Sequence, residues 1–424
     1  MILAIASHPA ARSNSHLSVP LRAPNFFSLC FHRAELIAGL SPGRHNSAME
    51  KILNEHCHYL SDQIRLERYE TAINQTVSSG CTVLDLGCGS GVLGLMAFRA
   101  GAKQVYFVDE TAIIEMARHA VEQAGFSDRA QFFRTNSYEL ELPERVDVVI
   151  CDHVGCFGID YGVLGVLADA RQRFLKPDGI LMPQQINVML APIESEDARS
   201  SIDRWRDGSV PEDFAWVTSL AANTKHLVEL TGDELLADAS TIASLQPGSD
   251  TNEFHRWDVE FTCARNGSFD GLAGWFDCGI TDEVRMTNSP QADDHTIRPQ
   301  VFLPLETPWP VGEGDRINAT LMVRHEDNVI AWTIEMPDTG QRATLTTFNS
   351  LLFDRESMTR MQPNRRAELN DRGRARQIVA SYCDGSRTVA EIEALMHEEH
   401  AGLFPSELAL ESFVRRVLAK DTSD

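Results

Sequence analysis

No apolar run in this chain approaches the twenty or so residues that a membrane-spanning helix requires, which excludes a helical membrane protein. Basic residues are in short supply, with 38 Lys and Arg against 61 Asp and Glu and a formal net charge of −23. A nucleic-acid binder draws most of its affinity from neutralising phosphates, so this balance excludes a nucleic-acid partner. It suits a cationic substrate, although plain solubility accounts for it better. The nine cysteines contain no CxxC pair. An odd, unpaired set points to reduced thiols in a cytoplasmic compartment, with no disulfide framework and no metal site.

What is present fits a globular protein of two or three domains: 424 residues, 43% hydrophobic and 23% charged. Residues 1–48 stand apart. They carry Arg12, Arg22, Arg33 and Arg44 against a single acid, Glu35, among scattered Ser and Pro. That composition resembles a mitochondrial transit segment; a mis-called extension ahead of a start at Met49 is the simpler reading, and either predicts disorder.

From 49 to 184 short apolar runs alternate with helical periodicity. TVLDL, QVYFVD, AQFFR and DVVICD read as strands, and Ala112, Ile113, Met116, Ala117, Ala120 and Val121 share one helical face. The alternation implies an α/β fold with a covered parallel sheet. From 185 to 349 the period changes to two. Ile317, Ala319, Leu321 and Val323 fall on one face, as do Trp332, Ile334 and Met336. INVMLAP, HRWDVEFTC, AGWFDCGI, PQVFLPL and ATLTTF are further strands, with a helical insertion between IDRWRDG and WVTSLAAN. Residues 350–369 are charged and without periodicity, a linker. Residues 370–424 are helical again, with Thr388 and Glu391 forming a capping box.

VLDLGCGSGVLGLMA carries the chemistry. A strand ends at Asp85, and Gly87, Gly89 and Gly91 then permit a tight turn whose backbone approaches a ligand at a helix N-terminus. A Gly-rich turn of this kind could serve NAD, FAD or S-adenosyl-L-methionine. An acid ahead of the first glycine favours S-adenosyl-L-methionine, which has no pyrophosphate to cradle. The next strand ends at Asp109, 18 residues beyond Gly91, where a carboxylate suits the ribose hydroxyls. Upstream, His58, Asp62, Arg65 and Tyr69 share a helical face. Spacing alone leaves open a solvated face with an Asp62–Arg65 ion pair, or a helix laid over the cofactor with Arg65 on its carboxylate.

Together these residues resemble the protein arginine methyltransferase family. The likeness runs unbroken from about residue 50 to 349: the helix with His56, Asp62, Arg65 and Tyr69, then VLDLGCGSG and Asp109, then LPERVDVVICDHVG and RFLKPDGILMP, then the β-rich half. The resemblance implies a seven-stranded Rossmann-like domain, a β-barrel on the substrate side, and a helical arm that makes a homodimer. It places His56, Arg65 and Gly87 with Asp109 on the cofactor, and Ser137 and Tyr138 at the adenine, where the family's usual Glu is missing. The family clamps a substrate guanidinium between two glutamates after the fourth strand. Asp152 falls on the first position, one methylene shorter; Tyr161 falls on the second, with Asp160 just before it as a substitute. The family's Thr-His-Trp triplet is here His295, Thr296, Ile297, so His295 is displaced by one residue and the Trp is lost. Both departures lie on the substrate side.

The tail pattern YCDGSRTVAEIEALM resembles the small winged-helix peptide-recognition domains of pyrroloquinoline-quinone biosynthesis; a plain helical cap fits as well. The reading that results is a methyltransferase acting on a guanidino or amino nitrogen of a peptide, protein or small metabolite. A decayed cofactor-binding regulator, and an O- or C-methyltransferase on the same scaffold, are the alternatives.

Overall fold

The computed structural model describes residues 42–250, 252, 254–325, 328–351, 365–404 and 406–422. Residues 1–41, and 352–364 of the linker region, lie outside the described residues. Two compact units divide the chain, 1–351 and 352–424.

The first unit opens with helices α1 (Pro42–Ser61) and α2 (Gln63–Thr76), so helix begins ahead of Met49. A parallel sheet follows, built from β1 (Thr82–Leu86), β2 (Gln104–Val108), β3 (Ala130–Phe133), β4 (Val146–Ile150) and β5 (Leu175–Met182). Its order is β3-β2-β1-β4-β5. Every residue of β1 is buried, as a strand covered on both faces requires. Helices α3 (Val92–Ala100), α4 (Ile114–Gln123) and α5 (Val163–Arg173) make the connections. The buried stripe of α4 runs Ile114, Ala117, Val121 rather than from Ala112, because the helix starts later than its periodicity suggests.

The sheet has five strands among the described residues, not seven. The next strand, β6 (Gln185–Ile193), pairs antiparallel with partners in the β half. Its first half alternates between buried and half-exposed positions, which suits a sheet with one covered face and not a parallel interior.

The β half holds two antiparallel sheets in a barrel-like arrangement. One comprises β7 (His226–Val228), β12 (Gln300–Val311), β10 (Gly267–Gly279), β6 and β8 (Ser240–Leu245), with β11 (Arg285–Thr287) paired to β10. The other runs β15 (Gln341–Thr346), β14 (Val329–Met336), β13 (Arg316–Arg324), β9 (Phe254–Thr262). The predicted alternation holds: Ile317, Ala319, Leu321, Val323, Trp332, Ile334 and Met336 are all buried. Trp332 Nε1 donates to the Pro304 carbonyl at 2.8 Å and so joins the two sheets. The insertion forms α6 (Glu196–Asp203) and α7 (Val217–Ala222), which seat Ala198, Ile202 and Ala221 against Trp275 and Phe302.

In the second unit three helices, Asp371–Tyr382, Val389–His400 and Glu407–Asp421, enclose Val379, Ile392, Met396, Leu410 and Val414. The Thr388–Glu391 capping box is present. No strand occurs among that unit's described residues, so they include no edge for pairing with a peptide.

Candidate active site

In a sheet ordered 3-2-1-4-5 the connections leave β1 and β4 in opposite directions, opening a crevice at their carboxyl ends. The glycine bend follows β1, and the acidic loop follows β4. That topology is why the two stretches meet.

At the bend, Gly87, Gly89 and Gly91 all have positive φ, 70°, 51° and 76°. Val108 O accepts from the N–H groups of both Gly87 and Cys88, at 2.8 and 2.9 Å, which fastens the bend to β2. A Cβ at Gly87 would stand 2.3 Å from His153 Cε1, and one at Gly89 would stand 2.9 Å from His56 Cε1. The backbone is therefore bare where two imidazoles approach it. Burial lowers both rings, His56 and His153, below the ordinary histidine range, against the nearby acids.

Asp85 is buried at the end of β1, and its Oδ2 accepts from Gly94 N–H at 2.8 Å, in the first turn of α3. Burial pushes its carboxyl up to about 7, opposed by that N–H and by the charge of Arg65. At the end of β2, Asp109 accepts from Gly89 N–H at 3.0 Å and from the Thr111 N–H and hydroxyl at 2.8 and 2.6 Å. After β3, Asn136 caps the turn Ser137–Glu139 and reaches Glu110 at 3.1 Å. Arg173 fastens that turn by donating to Ser137 O at 2.6 Å, while the Tyr138 side chain is exposed. The ends of β1, β2 and β3 thus present a glycine bend, an acid and a polar turn in a row. This row fits an elongated nucleoside with a ribose diol, and S-adenosyl-L-methionine matches it.

Arg65 links the row to the acidic loop. Asp62 caps α2 by accepting the Arg65 backbone N–H at 3.1 Å, and its other oxygen takes Ile297 N–H at 3.3 Å. The side chains of Asp62 and Arg65 therefore do not pair with each other. The Arg65 guanidinium instead bonds Asp152 through Nε and the Tyr59 carbonyl through Nη1.

Asp152 is held by three donors: Arg65 Nε, Arg298 Nη2 at 2.7 Å and the Tyr69 hydroxyl at 3.1 Å. Burial alone would raise its carboxyl, but the charges of Arg298 and then Arg65, with the bonds from Arg65 and Tyr69, hold it below the usual carboxylate range. Tyr59 lies between the two guanidiniums, its ring centroid 5.9 Å from each.

The other expected acceptor residues are placed differently. Both Asp160 oxygens are occupied: Oδ2 accepts the N–H groups of Cys156 and Phe157 in its own loop, at 2.8 and 2.9 Å, and Oδ1 pairs with Lys225. Tyr161 has φ 61° and is exposed. His295 is exposed and contacts the Thr296 carbonyl, outside the Asp152 cluster. Three residues further along, Arg298 reaches Asp152.

Arg298, Lys225, Tyr59, His153 and Asn288 were not singled out from the sequence. Asn288 is fully buried; its Nδ2 donates to the carbonyls of Cys156 and Pro299, both at 2.8 Å, tying the acidic loop to the loop that carries Arg298. Arg298 and Asp152 lie 146 positions apart, and no local pattern connects them.

Residues 66–185 match the family model of the ribosomal protein L11 methyltransferase, PrmA. The chain is 37% identical over 155 residues to the probable protein arginine N-methyltransferase 6 of Arabidopsis thaliana, a match covering 36% of each chain. It is 32% identical over 238 residues to protein arginine N-methyltransferase 1 of Schizosaccharomyces pombe, covering 52% of this chain and 67% of that one. Among solved structures, a Trypanosoma brucei PRMT1 enzyme–prozyme heterotetrameric complex with AdoHcy superposes with a TM-score of 0.62 at 20% identity, over 69% of this chain and 97% of the other. Arabidopsis thaliana protein arginine methyltransferase 10 gives 0.61 at 23% identity, over 70% and 98%. At those identities the two structures speak for the fold.

Proposed function

This chain belongs to the protein arginine N-methyltransferase family, and from that premise we propose that it moves a methyl group from S-adenosyl-L-methionine to a guanidino or amino nitrogen of a peptide, protein or small metabolite. The observation that carries this reading is Arg65, which stands between Asp85 below the glycine bend and an Asp152 held below the usual carboxylate range, at the sheet's switch point.

The residues of the row divide the cofactor between them. Arg65 and His56 take the methionine end, with Asp85 setting the charge beneath it. Gly87, Gly89 and Gly91 let the backbone close on the centre, Asp109 takes the ribose hydroxyls, and Ser137 and Tyr138 flank the base. When bound, the cofactor would supply an electrophilic methyl on a sulfonium, with the neutral thioether as its leaving group. Asp152 stays anionic because Arg298 and Arg65 hold its carboxyl low. It therefore orients the acceptor nitrogen and balances the charge that nitrogen gains, and the proton that the nitrogen gives up passes to solvent.

Asp152→Ala is expected to keep affinity for S-adenosylhomocysteine while cutting transfer of labelled methyl to arginine and lysine peptides about a hundredfold. Retained transfer would refute the assignment. The occupied oxygens of Asp160 favour a second reading, a cofactor-binding regulator; binding without label moving to any component of a cell extract would select it.

The chain acts as a homodimer through its α6–α7 arm. Phe214 and Trp216 support this, because they stand 49% and 59% exposed on the segment between the two helices. No described helix is long and apolar enough to cross a membrane. The reduced-thiol composition supports work in the cytoplasm.

A further inference from the structure

The oxygens of Asp152 are nearly all spoken for. Oδ2 accepts from both Arg65 Nε and Arg298 Nη2, and Oδ1 accepts from Tyr69. A carboxylate offers about two lone-pair sites on each oxygen, so Oδ2 is full and Oδ1 has one site left. A guanidinium that forms its two-bond fork on a carboxylate uses both oxygens at once. Asp160 cannot take over, since its carboxylate is spent on two backbone N–H groups and Lys225.

The group that fills the space is itself a guanidinium. The Arg298 side chain is 4% exposed, and besides Asp152 it donates from Nη1 to the Gly155 carbonyl at 3.3 Å. Its loop is pinned at both ends, by Ile297 N–H on Asp62 and by the Pro299 carbonyl on Asn288. Yet Arg298 Nε is buried without a hydrogen-bond partner. An unpaired buried donor is a standing cost, so the side chain is held on Asp152 less firmly than a fully bonded one would be.

We propose that Arg298 determines acceptor specificity: its guanidinium sits on Asp152 Oδ2, so an arginine acceptor makes its two-bond fork only by displacing it, whereas an amine needs only the one free site on Asp152 Oδ1. The proposal rests on the methyl-transfer reading and ranks an amine ahead of arginine as acceptor in the parent protein. The internal guanidinium has a concentration advantage that no free arginine side chain matches.

The test uses the full chain and two peptides that differ only in carrying Arg or Lys, with S-adenosylhomocysteine bound for calorimetry and labelled S-adenosyl-L-methionine supplied for turnover. Arg298→Gln is expected to tighten calorimetric binding of the arginine peptide at least ~10-fold and to lower its KM alike, while the lysine peptide changes less than ~3-fold. Unchanged or weaker binding of the arginine peptide overturns the proposal, as does failure of both proteins to bind either peptide. If Arg298→Gln no longer binds S-adenosylhomocysteine, Arg298→Lys takes its place. That variant keeps the charge without the fork and shifts the arginine peptide in the same direction by less; no shift overturns the proposal. If neither protein moves label to either peptide, the methyl-transfer reading fails, and the binding comparison still decides the role of Arg298.

Discussion

Asp85 and Asp152 are buried carboxyls on the same crevice, and they are driven in opposite directions. Asp152 has two guanidiniums and stays ionised, so its contribution to stability is lost only as the pH falls through and below the ordinary carboxylate range. Asp85 has one backbone N–H against full burial, and its carboxyl sits at about 7 instead of 3.8. Between those values the folded state keeps a proton that the unfolded state has released. Stability therefore falls as the pH rises through that window, and the loss is complete above about 7. Asp85→Asn removes the charge and keeps an acceptor for Gly94 N–H. In the cofactor-free protein the variant should match the parent near pH 4 and exceed it by up to roughly 4 kcal/mol above pH 7. Denaturant melts at both values check this, and a constant difference across the range would refute it. The type of each residue was readable in the sequence. The partner that sets its charge was not, because for Asp152 the first such partner, Arg298, comes from the β half, 146 positions away.

At the scale of elements, periodicity located the strands of the β half, since a half-covered strand writes its burial into every second residue. It located β1 and β4 as well, because both faces of those strands are apolar. It misjudged the start of α4, where Ala112 and Ile113 continue an apolar pattern that the helix does not use. The α6–α7 arm shows what periodicity omits. Ser195 caps α6, and buried Arg199 reaches across to the Glu306 carbonyl at 3.2 Å, so the arm's base is fixed to β12. Its tip then carries two exposed aromatic rings. Replacing Phe214 and Trp216 together with Ser should leave the monomer folded, because neither belongs to the cluster around Trp275. The same change should shift the species seen by light scattering from dimer to monomer. A parent that is already monomeric, or a double variant still dimeric, would remove the arm from the interface.

At the scale of the whole molecule, the chain is two units with separate cores. The second unit surrounds Val379 and Met396 with its own helices. A chain ending at Leu351 should therefore unfold in one transition at the midpoint of the parent's first-unit transition, within ~2 °C by calorimetry, and should still bind S-adenosylhomocysteine. A large drop in the midpoint would show that the first unit needs the second. The sequence by itself determined the class of the first unit and the local pieces of the site proposed for the cofactor. Strand period, the glycine bend and the acid at the end of β2 are local patterns, confined to short stretches whose geometry their own residues impose. The acceptor end was decided only by tertiary structure. Arg298 reaches Asp152, Lys225 neutralises Asp160, and Asn288 joins two loops, each across a large gap in sequence. A buried charge selects its partner by position in space, and spacing along the chain carries no record of that choice.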